Sequence, residues 1–421
     1  MSELLDEIED LLKKGEIERA FELSKDNDTD SLVDGLIKRI FFLIENEEYD
    51  FAGTYLKFLE RIDIDRGIKK ARKHHMANAY LKLGNVYAKK GKFDKAIEDY
   101  NKAIEFNPEY ASAYNNRGNA YSKKGEFDTA IEDYNTAIEL NPEYVGYYNR
   151  GLAYYEKGEF DTAIEDYNTA IELNPEYAVA YNNRGLAYSK KGEFDTAIEA
   201  YNKAIILNPE YAEAYLNRGL EYYGKGEFER AIENYNKAID LNPEYALAYN
   251  NRGVAYYWLN RREEAIASYN KAIELNPNFY MAYSNRGLAY DWKKEFEKAI
   301  DDFGTAIKLN HDNSVAYFNR GVAYGGKKEF EKAIDDFGTA IKLNPVDAAA
   351  AYFNRGVAYY KVESYRKAKR DYTKAIALDP DFGIAHANLG DLLYTIEEDY
   401  DNAEREYRKA LKIKKKYRLC S

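Results

Sequence analysis

The sequence is short of the residues on which most catalytic and metal chemistry depends. One cysteine, Cys420, and four histidines stand among 421 residues. His74-His75, His311 and His386 fall in no cluster with metal-ligand spacing. A lone cysteine cannot form an internal disulfide, in keeping with a reducing compartment. No apolar run approaches the roughly 18 residues that span a bilayer. The start, MSELLDEIEDLLKKG, is acidic and amphipathic, the wrong chemistry for a secretory or transit signal, so a cytoplasmic protein is expected. Basic charge is short as well: 61 Lys and Arg against 73 Asp and Glu leave a net charge of −12, which weighs against a partner held by its phosphates. No metal or cofactor is expected, and an enzyme is the least favoured class. One stretch, Gly219-Leu-Glu-Tyr-Tyr-Gly-Lys-Gly226, imitates a phosphate-binding loop. It ends in Gly where Ser or Thr must reach magnesium, and it follows no strand.

Proline is also scarce, and its placement is informative. The eight prolines, Pro108 to Pro380, are separated by 34, 33, 34, 34, 34, 68 and 35 residues. That period overrides the expectation of two or three globular domains for this length. With 45% hydrophobic residues and 43 tyrosines the chain has ample material for a buried core.

Registered on the prolines, each unit reads like residues 111–144, ASAYNNRGNAYSKKGEFDTAIEDYNTAIELNPEY. Tyr or His stands at position 4, Gly at 8, an aromatic at 17 in most units, Ala at 20, an aromatic at 24, Ala at 27 and Pro at 32. Positions 3, 4, 7, 8, 10, 11 and 14 share one helical face, and 20, 21, 24, 27 and 28 share another, so each unit is two amphipathic helices. Gly at position 8 costs about 1 kcal/mol relative to Ala inside a helix, and its presence in all ten units predicts close approach between the helices. The K-G-E-F segment predicts a turn with Gly at a left-handed helix end, and Asn-Pro ends the second helix. The pattern is identified as that of the tetratricopeptide repeat family over about four-fifths of the chain. The resemblance implies an all-α fold, a right-handed α-solenoid superhelix of stacked antiparallel helix pairs. One unit cannot bury both faces alone, so stacking is obligatory.

Residues 1–76 keep a degraded form of this grammar. Gly15, Ile17 and Ala20 mark one hairpin and Tyr49, Ala52 and Leu56 a second, giving a divergent N-terminal cap that leads helically through 63–76 into the first repeat. Nine tandem repeats fill 77–382. Residues 383–421 form a tenth repeat with a polar capping helix. Single-residue length changes near repeats three, nine and ten, and His311 in place of proline in repeat seven, are expected to alter local packing angles.

Two ladders run through the repeats. Position 6 is Asn116, Asn149, Asn183, Asn217, Asn251, Asn285, Asn319, Asn354 and Asn388, on the side opposite the packed face, which in tetratricopeptide solenoids is the concave groove. A row of amides can hold a peptide backbone without reading its sequence. It resembles the asparagine ladder of the O-GlcNAc transferase superhelix, whose catalytic domain has no counterpart here. Position 7 is Arg117, Arg150, Arg184, Arg218, Arg252, Arg286, Arg320 and Arg355, where the family usually has Leu. Pairing with an acid at position 22 or 23 is the favoured reading, and an anion-binding stripe is the alternative. Arg252, beside Ala267 and Ser268, has to borrow an acid such as Glu263 or Glu264.

The remaining groove positions change along the chain. They are polar in repeat two and, from repeat five on, apolar: Leu216, Leu220, Tyr223, Leu247, Val254, Tyr257, Trp258, Met281, Leu288, Trp292, Phe318, Val322, Phe353, Val357 and Tyr360. Either these side chains form an interaction surface or they pack laterally on neighbouring repeats. The favoured function is a non-enzymatic protein-interaction scaffold taking an extended peptide or a partner helix. A chaperone-type adaptor with a carboxylate clamp lacks its residue set in any three successive repeats, and an RNA-binding helical repeat conflicts with the acidic balance. Neither nucleic acid nor membrane insertion is expected, and self-association through the apolar groove stays open.

Overall fold

The computed structural model describes residues 2–25, 27–66, 68, 70–346 and 348–418; Cys420 lies outside them. Among the described residues every regular element is an α-helix, twenty-four in all, and the fold is an all-α repeat of packed helix pairs. Two compact units divide the chain, residues 1–210 and 211–421, and the same pair recurs in both. A first helix such as Ala111–Lys123 or Ala246–Trp258 packs on a second such as Phe127–Leu140 or Arg262–Leu275.

The turn between the paired helices follows from one backbone state. Gly125 stands at φ +79°, its N–H donates to Ser122 O, and the Glu126 N–H reaches back to Tyr121 O at 3.0 Å, closing the orphan carbonyls of the first helix. Gly fills this place through Gly226. In the later repeats Asn260, Lys294, Lys328, Glu363 and Glu398 adopt the same positive φ.

The second helix stops at an asparagine. Asn174 is extended, φ −139° and ψ 89°, as a residue before proline must be. Its Oδ1 also accepts from the Glu176 N–H at 3.2 Å. Where His311 replaces proline, Asn310 keeps φ −141° and ψ 97° and accepts from the Asp312 N–H at 3.2 Å. The turn therefore forms without proline, held by the asparagine side chain and by the Asn313 N–H donating to Asn310 O at 3.3 Å.

Inside each repeat the position-8 glycine accommodates the position-24 ring. A Cβ on Gly118 would lie 2.7 Å from Tyr134 Cε1 and 3.1 Å from Ala130 O. Tyr134, Tyr167, Tyr235, Tyr269 and Phe303 are fully buried there, with the position-20 alanines beneath them. Neighbouring repeats are also tied at the surface. Lys157 bridges Asp128 of the preceding repeat and Glu159 of its own, at 2.8 and 2.6 Å, and Lys293 and Lys327 repeat the arrangement.

At the N-terminus, helices Ser2–Lys13, Ile17–Ser24, Thr29–Glu45 and Tyr49–Arg66 precede a 20-residue helix, Lys70–Lys89. Residues 63–66 end the helix Tyr49–Arg66, and residues 70–76 open Lys70–Lys89, which continues into the first repeat.

Candidate functional site

The asparagine row is half-buried along the first helices, and several of its amides are bonded between repeats. In the first compact unit Asn116 Nδ2 donates to Asn85 Oδ1 at 2.9 Å, Asn149 to Asn115 Oδ1 at 3.0 Å and Asn183 to the Tyr148 hydroxyl at 2.8 Å. Asn115 and Tyr148 occupy position 5 of the preceding repeat. A polar side chain there captures the next asparagine. In the second unit Asn285 is held the same way by Asn250 at 3.0 Å. Asn354 turns back onto Ala350 O of its own helix, and Asn388 bonds Tyr372. Asn217 is buried. Asn251 accepts from Asn250 Nδ2 and keeps its own donor; Asn319 is half-buried on the same face.

The apolar positions divide into packed and exposed sets. Leu216 is buried, so it does not contribute to a surface. Tyr223 and Tyr360 pack edge-on or tilted against Phe228 and Tyr365 at the start of their own second helices. Tyr257 carries the Arg262 guanidinium over its ring. Val254, Leu288, Phe318, Val322, Phe353 and Val357 are half-buried against the core, and Phe353 also lies 5.1 Å from Phe382. Packing onto the repeat's own second helix thus covers much of positions 5, 9 and 12, Leu220 remaining exposed. Trp258 and Trp292 end their first helices and expose 61% and 54% of their surface. One face of each is covered, Trp258 by Phe228 in a parallel stack at 6.1 Å and Trp292 by the Arg262 guanidinium at 3.7 Å.

A second open apolar row is position 2, at the start of the first helices: Leu247 is 38% exposed, Met281 43% and Val315 61%. Val315 borders a notch of about 310 Å³ with Phe318, Ala348 and Ala351. The helical pattern placed Leu247 and Met281 on this face. It did not separate them from the packed positions, because burial at 5, 9 and 12 depends on the side chains that the second helix and the next repeat present there.

The arginine ladder is largely an internal ion-pair system. Arg117, Arg150, Arg286, Arg320 and Arg355 each donate through Nε and Nη2 to both oxygens of the position-23 aspartate, Asp133, Asp166, Asp302, Asp336 and Asp371, at 2.6–3.1 Å. The Asp133 hydrogen bonds raise the Arg117 pKa above its ordinary value. In the three central repeats position 23 is Ala200, Asn234 and Ser268. Arg184 there donates to Asn168, Arg218 to Asn234, and Arg252 to Ser268 Oγ at 3.2 Å and Asn236 at 2.8 Å. Burial lowers the Arg218 pKa. Arg252 does not take the acid expected from the sequence: Glu263 is held by Lys293 and Glu264 by Arg261, because both project from the exposed first turn of the second helix.

Among the described residues no group of three His, Cys, Asp or Glu side chains could hold a metal ion, and no helix is long and apolar enough to cross a membrane.

A search of curated proteins found no match to the chain. Among solved structures, a tetratricopeptide repeat protein from Parabacteroides merdae is 22% identical over 59% of this chain and 98% of its own, with a TM-score of 0.47. MamA is 35% identical over 39% of this chain and 96% of its own, with a TM-score of 0.36. YrrB, described as a TPR protein with an unusual peptide-binding site, is 28% identical over 45% and 96%, with a TM-score of 0.39. Tetratricopeptide repeat profiles match residues 111–144, 178–211, 246–279, 280–313, 314–347, 349–382 and 385–417, and a TPR repeat profile matches 84–125, 151–192 and 219–260. With the helix pairs, the glycine-to-ring contact and the Asn-Pro turns recurring through the same residues, the chain belongs to the tetratricopeptide repeat family.

Proposed function

We propose that the protein is a non-enzymatic interaction scaffold that takes an extended peptide along the first-helix face of residues 211–421. The observation that carries this reading is the row Leu247, Met281 and Val315, exposed at 34-residue intervals on the helices that carry Asn251 and Asn319. Apolar side chains recurring at a fixed interval offer contacts to alternate residues of an extended chain, and amides beside them offer a donor and an acceptor to its backbone. Trp258 and Trp292, each with one free face, add aromatic anchors at the ends of two of these helices.

A peptide-display selection against the full chain tests the reading, with fluorescence anisotropy on the recovered peptides. Met281→Asp and Val315→Asp, both at exposed positions, are expected to weaken binding at least ~tenfold each, since a charge on a desolvated contact costs more than 1 kcal/mol. A selection that recovers nothing, or peptides indifferent to both substitutions, overturns it.

A further inference from the structure

Three repeats hold a guanidinium in one three-sided seat. Arg286 is bidentate to Asp302, with its Cζ 5.6 Å from the Tyr283 ring and 5.9 Å from Tyr290. Arg320 and Arg355 reproduce the acid and the tyrosine pair, at 5.6 and 5.9 Å and at 5.3 and 5.9 Å. The acid stands at position 23 and the tyrosines at 4 and 11.

The first repeat, residues 77–110, keeps all three walls and lacks the arginine. Its position-23 acid is Asp99, its tyrosines are Tyr80 and Tyr87, and position 7 is Leu83, a side chain too short to reach where a guanidinium head would lie. Asp99 makes no hydrogen bond or ion pair among the described residues, and its Oδ2 is buried without a partner. Asp99, Tyr80, Tyr87 and Leu83 all line one cavity of about 580 Å³ between helices Tyr49–Arg66, Lys70–Lys89 and Phe93–Phe106. Gly53 lines the same cavity, and a Cβ there would make an ordinary 3.9 Å contact with Leu83 Cδ2.

We propose that this cavity seats an alkyl-guanidinium from outside the chain, with the Asp99 carboxylate as bidentate acceptor and Tyr80 and Tyr87 beside the cation. An unpaired buried carboxylate is costly, and a planar guanidinium answers it with two parallel hydrogen bonds where an ammonium offers a point charge. The cavity's own lysines are placed otherwise. Lys102 lies 3.5 Å from Glu60 and 3.0 Å from Glu105. Lys95 lies 5.3 Å from the Tyr87 ring centre, as Lys298 lies 5.2 Å from Tyr290 in a repeat whose acid is paired. Lys57 is exposed and is the rival occupant. Burial, with Glu98 adding to it, pushes the Asp99 carboxyl up to about 7, as expected for a carboxylate still waiting for its cation. Asn85 and Asn116 line a separate cavity, and no residue of the seat is among those of the peptide face proposed above.

Isothermal titration of the full chain with agmatine, and separately with acetyl-Gly-Arg-Gly-amide, tests the seat, with n-butylamine and the citrulline peptide as comparisons. Saturable one-to-one binding of a guanidinium probe is expected, weakened at least ~tenfold by Asp99→Asn, removed by Leu83→Arg, and retained by Lys57→Gln. Binding of the peptide alone identifies an arginine side chain of a partner protein as the source; equal or tighter binding of agmatine identifies a free guanidino compound. No saturable binding of either probe, equal binding by Asp99→Asn, or n-butylamine binding as tightly as agmatine overturns the proposal. Asp99→Asn is nearly isosteric, so the test does not depend on Leu83→Arg folding.

Discussion

Arg286 Nε and Nη2 meet the two oxygens of Asp302 at 2.8 and 2.6 Å, while one repeat earlier Arg252 Nε meets the Ser268 hydroxyl at 3.2 Å. The same guanidinium position is therefore charge-compensated in one repeat and hydrogen-bonded to neutral groups in the next. Asp302→Ala should destabilise the chain by about 3 kcal/mol, since it strands a partly buried cation. Arg252→Leu should be neutral or stabilising, and Ser268→Asp should raise the melting temperature by supplying the missing carboxylate. Thermal unfolding of the three variants checks the order. A loss in Arg252→Leu as large as that in Asp302→Ala would show that the neutral partners hold Arg252 as well as a carboxylate does.

Two glycines four residues apart in one helix should respond oppositely to the same change. A Cβ on Gly321 would meet Phe337 Cε1 at 2.8 Å, whereas Gly325 has nothing within 4 Å, and both lie in Ser314–Gly326. Gly321→Ala should destabilise by roughly 1–3 kcal/mol through overpacking. Gly325→Ala should stabilise by about 0.5–1 kcal/mol through helix propensity. Urea midpoints of the pair separate packing from propensity.

The buried position-24 hydroxyls offer a second matched pair. Tyr134 OH donates to Asn119 Oδ1 at 2.8 Å, but the Tyr235 hydroxyl is buried without a partner because position 9 of its repeat is Leu220. Tyr134→Phe should cost about 1 kcal/mol, and Tyr235→Phe should be neutral or stabilising. In repeats seven and eight the sequence already has Phe303 and Phe337 there, opposite Leu288 and Val322.

What sequence reading could reach was whatever one repeat decides by itself. The Gly125 turn, the Asn174 helix stop, the Gly118 cleft and the Arg117–Asp133 pair join residues within a single 34-residue unit, so spacing and side-chain chemistry suffice to expect them. The fate of Asn149 depends on whether position 5 of the preceding repeat is polar, and that of Trp292 on Arg262 one repeat back; helical periodicity carries no information about such neighbours. The exposed position-2 row and the unpaired Asp99 were missed for a related reason. Leu247 and Met281 looked equivalent to the packed positions, and Asp99 becomes conspicuous only when Leu83 is compared with Arg117 at the same place. That last signal was present in the sequence as a break in the arginine ladder.

The left-handed turn residue should report its own strain. Lys328 at φ +65° occupies the place that Gly125 and Gly192 fill at φ +79° and +80°, and a side chain in that region costs about 1 kcal/mol or more. Lys328→Gly should therefore stabilise by roughly 0.5–1 kcal/mol, while Gly125→Val should destabilise by more than that. Neither turn changes a buried contact, so slowed hydrogen exchange at the flanking helix ends of Lys328→Gly would locate the gain.

Asp99 makes stability depend on pH with a definite sign. Its carboxyl titrates at about 7 in the native chain and near 3.9 when unfolded, so between those values the native state holds a proton that the unfolded state has released. Its contribution to stability must therefore fall as pH rises from about 4 to about 7 and stay constant above. The groups that face it are Asp50, Lys57 and Glu60 from one helix, Lys95, Glu98 and Lys102 from its own, and Tyr80 and Tyr87 from the helix between. Glu98 and Glu60 raise its pKa, and Lys95 and Lys57 oppose them. Asp99→Asn removes the titration and leaves the rest in place. The wild-type melting temperature minus that of Asp99→Asn should accordingly decline across the interval and level off near neutrality. A guanidinium bound at the carboxylate would favour the ionised form, so a saturating guanidinium probe should shift the decline to lower pH. A difference that is flat from pH 4 to 8 would mean that Asp99 is ionised throughout and already has its cation.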